Sequence, residues 1–192
     1  MAITKERLHV AGWLSIINSA VIFPSFVIAL LRIVIQRFTQ LQVPLLILSF
    51  ISLGLFIYIF LSLRRLLNSR FNFHHADVYI SALIWITIIS SIIGLLSSLI
   101  ESELLPAVVS VLTGILPVLT GILLGIICIV FAIRILRLSE DLFGLLRPFS
   151  YLLIARGVCL MTVILGVLLP IIEVILYIIL AMVFFRAAEA IT

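Results

Sequence analysis

Apolar and polar positions do not alternate along this chain; apolar residues run in long uncharged blocks separated by short polar ones. From Val10 to Leu31 there are 22 residues without a charge. Blocks of this kind return at Val43–Leu63, Val78–Ile100, Leu104–Ile133 and Gly157–Phe185. A helix needs about 20 apolar residues to cross the hydrocarbon of a bilayer, and each block reaches that length. The pattern predicts an all-α integral membrane protein. Its single transmembrane domain, residues 1–192, is a bundle of about five spanning helices at roughly 10–35, 43–63, 78–100, 104–133 and 157–185, joined by short interfacial amphipathic linkers.

Prolines and caps punctuate these blocks. Pro24 falls near the middle of the first and predicts a kink, whereas Pro44 opens the second as a first-turn residue. Asp77 is placed to cap the third. The fourth holds Pro106, Pro117, Gly114, Gly121 and Gly125, so Pro117 is a candidate hinge. The linker "RILRLSEDLFGLLRPFS" carries Leu138, Leu142, Leu145 and Phe149 at helical spacing, which suggests a short helix lying on the membrane surface. Pro170 then kinks a fifth span. A chain turn at Pro170–Glu173 is the alternative, but it leaves only Val174–Phe185 for a sixth crossing, too short to span.

Composition agrees with the pattern: 65% of residues are hydrophobic, 10% are charged and the mean hydropathy is +1.49. Soluble domains hold about 25% charged residues, so a soluble fold is excluded. The N-terminal "TKERLHVAGWLSIINSA" has the outline of a signal peptide, but its apolar run outlasts a signal core and reads as a retained first span. Lys and Arg set orientation. With the N-terminus inside, Lys5, Arg7, Arg64, Arg65, Arg70, Arg134, Arg137, Arg147 and Arg156 lie inside, against Arg32, Arg37 and Arg186 outside. This bias predicts a cytoplasmic N-terminus and an external C-terminus. The short loops favour a prokaryotic inner membrane.

One residue breaks the apolar pattern deep in a span. Glu173 sits inside "GVLLPIIEVILYIILAMVF", and an ionised carboxylate there costs several kcal/mol unless it meets a partner, water or a proton. Gly166, Pro170, Glu173 and Tyr177 share one helix face. On a continuous helix Arg156 is about 25 Å away, beyond reach. Residues at matching depth on other spans are hydroxylic: Ser25, Ser90, Ser91, Thr113 and Thr120, with Asn18 deeper. These predict an ion- or proton-binding site around Glu173, with Pro24, Pro117 and Pro170 breaking helices near it. The competing expectation is that Glu173 only fixes packing.

Small residues form further stripes. Gly121 and Gly125 make a GxxxG, Gly114 extends its face, and Gly94 and Gly166 sit on similar faces, all candidates for close helix packing. Arg64, Arg65, Arg70, Arg137 and Arg147 are placed for lipid headgroups. His74, His75 and Asp77 lack the spacing of a metal site, Cys128 and Cys159 form no redox motif, and no cofactor is implied. The spans contain no His for haem and no His at the depth of the serines, so an enzyme is not predicted. There is no platform for nucleic acid. Two functions remain: a channel or carrier component moving a proton, cation or small solute past Glu173, or a non-catalytic accessory subunit of a larger membrane complex. The expected partners are the lipid bilayer and either further copies of the chain or a larger membrane protein.

Overall fold

The computed structural model describes residues 4–34, 42–71, 73–74, 76–99, 114–138 and 144–190. Its long elements are α1 (Lys5–Val34), α2 (Gln42–Phe71), α3 (Ala76–Leu99), α4 (Leu116–Leu136), α5 (Leu146–Met161) and α6 (Leu169–Glu189). A 3-10 stretch, Val163–Leu168, joins the last two. Among the described residues, five stretches are long and apolar enough to cross a membrane: Lys5–Ile28, Val43–Phe71, Ala76–Leu95, Leu116–Leu136 and Leu165–Glu189. They suggest an integral membrane protein and are compatible with a multi-pass one. Large side chains such as Trp13, Phe23, Phe50 and Trp85 point outward from the bundle, where a soluble protein would place charge.

The fifth apolar block is not one kinked helix. It breaks at Thr162, whose backbone is extended (φ −115°, ψ 113°), and the chain folds back through the 3-10 stretch into α6. Pro170 stands in the first turn of α6, where its missing N–H costs nothing. Pro117 likewise opens α4. Pro170 is therefore a helix start, Pro117 stands in the first turn of α4 directly after a π-helical turn at 114–115, and Pro24 lies within the continuous α1. The turn comes earlier than Pro170–Glu173, which leaves 21 residues for α6.

Consecutive helices run antiparallel and pack side by side, and α6 closes the ring against α1. The Phe185 ring lies 5.9 Å from His9 and 5.8 Å from Trp13. Arg70, at the end of α2, donates to the carbonyls of Ala187 and Ala190 at 3.4 and 3.5 Å. The end of α6 thus sits beside the start of α1. This corrects the expected placement of the two termini at opposite ends, and the fold-back at Thr162 is the cause.

The half of the ring nearest the termini is filled. Leu8, Phe60, Leu63, Leu67, Ile80, Leu83, Phe131, Ile135 and Phe184 are fully buried there. Arg64 bonds Asp77 at 2.8 Å across the α2–α3 turn and reaches Ser81, so it staples helices as well as meeting the surface. Arg65 borders a small crevice with Arg7 and Tyr58, and Arg137 and Arg147 are exposed. Leu138 and Leu145 pack on the core and Phe149 is buried in α5; Leu142 lies outside the described residues.

Helices α4 and α5 approach each other backbone to backbone. A Cβ on Gly125 would stand 2.6 Å from the Gly157 carbonyl oxygen, and one on Gly157 2.7 Å from that of Gly125. Gly121 faces Leu160 at a looser 3.3 Å. Among the described residues, a Cβ on Gly94, Gly114 or Gly166 would meet nothing within 4 Å, so none of the three marks a close helix approach there.

Candidate functional site

The half of the ring away from the termini encloses a cavity of about 390 Å³. Ser25 from α1, Ser49 and Ser52 from α2, Thr87 and Ser91 from α3, Arg156 from α5, and Pro170, Glu173 and Tyr177 from α6 line it. Ser49 and Ser91 are exposed at its rim, and Arg156 and Tyr177 are buried at its floor. Apolar wall comes from Ile22, Phe26, Leu53 and Phe56.

The fold-back at Thr162 assembles the floor. Because α6 returns alongside α5, Arg156 and Glu173 meet although 17 residues separate them. Nε and Nη2 of Arg156 both approach Glu173 Oε1 at 3.1 Å, and Nη1 donates to Cys128 Sγ on α4 at 3.2 Å. The assumption that Arg156 cannot reach Glu173 fails because it required one continuous helix. The Arg156 side chain is 10% exposed and that of Glu173 27%, so the carboxylate faces the cavity with the guanidinium behind it. Pairing offsets the cost of burying either charge. Oε2 of Glu173 has no hydrogen bond among the described residues.

The hydroxyls follow a common rule. Ser25, Ser49, Thr87 and Ser91 each donate to the carbonyl four residues back on their own helix, at 2.7–2.8 Å. Ser52 instead donates to Asn18 Oδ1 at 2.9 Å, tying α2 to α1. Asn18 is fully buried beside Tyr177.

Of the residues expected to form the site, the structure brings together Glu173, Ser25 and Ser91. Ser90 is half-buried on α3 and does not line the cavity. Thr120 donates to Leu116 and Pro117 in the first turn of α4, away from it. Thr113 lies outside the described residues. Glu173 itself lies four residues into α6 rather than at mid-span. Sequence reasoning missed Arg156, Ser49, Ser52, Thr87 and Cys128. Arg156 carried a signal, since an arginine bounded by "YLLIA" and "GVCLM" requires an anionic partner.

No group of three or more His, Cys, Asp or Glu side chains among the described residues is placed to hold a metal. His74 Nδ1 lies 3.9 Å from Asp77 in the α2–α3 turn; His75 is outside the described residues. Comparison with known protein families, curated proteins and solved structures finds no match. The cavity is a candidate binding site by its shape and lining: its volume is within the range of small-molecule pockets, and polar groups from five helices converge on it beside apolar surface from α1 and α2.

Proposed function

We propose that the protein is a small membrane carrier that admits a small polar solute or cation to the cavity and holds it against Glu173. The observation that carries this reading is the Arg156–Glu173 pair at the floor of a hydroxyl-lined cavity within a closed helix ring. Such pairs are expensive in a membrane and tend to mark solute or ion pathways. The packed core beneath the cavity favours a carrier holding one of its states over a continuously open pore. The internal partner for Glu173 removes the main motive for seeking its counter-charge on another protein, and so weighs against the accessory-subunit reading.

Basic residues cluster at the end bearing both termini, and the fold-back adds Arg186 to that cluster. We assign that end to the cytoplasm of a prokaryotic inner membrane, so the cavity faces the opposite compartment. The test is uptake into proteoliposomes from a panel of potassium, ammonium, ethanolamine, alanine and glycerol. The wild type should take up at least one saturably. The double substitution Arg156→Met/Glu173→Leu, which replaces the pair by apolar groups, should remain folded and lose that uptake. Unchanged uptake in the folded double variant rejects the role given to the pair.

A further inference from the structure

Resting on the carrier reading, we infer that the cavity is built for a small organic ammonium ion, a cation that donates hydrogen bonds and carries an apolar tail. A hydroxyl has one proton to donate and two lone pairs to accept with. In Ser25, Ser49, Thr87 and Ser91 that proton is committed to the helix backbone, and in Ser52 to Asn18. Five hydroxyl oxygens of the cavity wall therefore offer acceptor capacity, and turning a proton toward a ligand would break a bond already made. Glu173 Oε2 adds a charged acceptor, because Arg156 engages only Oε1.

The positive charge present does not reverse this preference. Three of the five N–H groups of Arg156 are engaged, two by Glu173 and one by Cys128, and the Glu173 carboxylate balances its charge at the cavity floor. A carboxylate ligand would have to compete with Glu173 for the guanidinium and would meet acceptor oxygens on the other walls. Size argues against a bare metal ion, whose oxygens must close to about 2.0–2.6 Å around it. A space of about 390 Å³ instead suits a molecule of several heavy atoms. Ile22, Phe26, Leu53 and Phe56 supply surface for an alkyl tail, and aromatic faces attract an ammonium head.

The experiment is calorimetric titration of the full chain in detergent micelles with butylammonium, tetramethylammonium and butyrate, each corrected against empty micelles. Butylammonium should bind at least about tenfold tighter than the other two, the first of which has the charge without donors and the second the opposite charge. The paired substitution Thr87→Val/Ser91→Ala removes two acceptors whose bonds among the described residues are to their own helix, so folding should survive. Butylammonium affinity should fall about tenfold in it. Butyrate or tetramethylammonium binding as tightly as butylammonium overturns the inference, as does an unchanged affinity in the folded variant or no binding by any probe. The carrier reading fails separately: butylammonium binding with no uptake of any panel solute defeats transport while leaving the ammonium site, and saturable uptake with butyrate-selective binding does the reverse.

Discussion

Two arginine–carboxylate pairs sit at different depths of this ring, one at the α2–α3 turn and one at the cavity floor, and they share their chemistry but not their setting. Arg64 and Asp77 meet at 2.8 Å across a short turn, with Asn68 also donating to Asp77 Oδ1 at 2.7 Å. Their side chains are 38% and 22% exposed, so water and salt screen the attraction. Arg156 and Glu173 meet across a fold-back with the guanidinium enclosed. The first pair fastens two helix ends that the chain already holds close. The second is formed only by the tertiary fold and leaves a carboxylate oxygen facing a cavity. Location, rather than bond length, separates a fastening from a site.

Breaking the enclosed pair from one side should have the largest effect. Glu173→Leu strands the Arg156 charge and should cost about 3–5 kcal/mol in reversible unfolding from mixed micelles. Adding Arg156→Met should recover most of that loss; a double variant no more stable than the single one would mean that the pair is not the cause. Next comes the α4–α5 contact that sets Cys128 beside Arg156. Gly125→Ala puts a methyl against a backbone carbonyl and should cost about 1–3 kcal/mol. Weaker still, Asp77→Asn should cost about 1 kcal/mol or less, a difference that added salt diminishes. Gly94→Ala, with open space around the new carbon, should alter stability by no more than about 0.5 kcal/mol in the same assay.

The helical class and the five long apolar stretches were legible because uncharged runs of that length can be read block by block. Glu173 was legible for the same reason, as the one carboxylate inside such a block. Its partner was not, because the distance from Arg156 was reckoned along an unbroken helix. Pro170 suits a kink and a helix start equally well, and only packing decides between them; here Thr162 goes extended and Pro170 begins α6. The same break moved the end of α6 to the side of α1. The hydroxyls were harder to sort, since matching depth across helices ignores rotation: Ser91 lines the cavity and neighbouring Ser90 does not. Of the glycine stripes, Gly125 sits against α5, and its counterpart Gly157 went unread because a single glycine carries no spacing signal.

The contact of α6 with α1 also bears on the order of biosynthesis. The helices that seal the ring are synthesised first and last among the six, so α1 through α5 leave the ribosome before their shared wall exists. Until α6 follows, Arg156 is a cation without its carboxylate, and the Ser52–Asn18 bond has no Tyr177 beside it. A nascent chain halted before Leu169 lacks both the carboxylate that meets Arg156 and the helix that closes the ring against α1, and the arrival of Glu173 supplies the first of these.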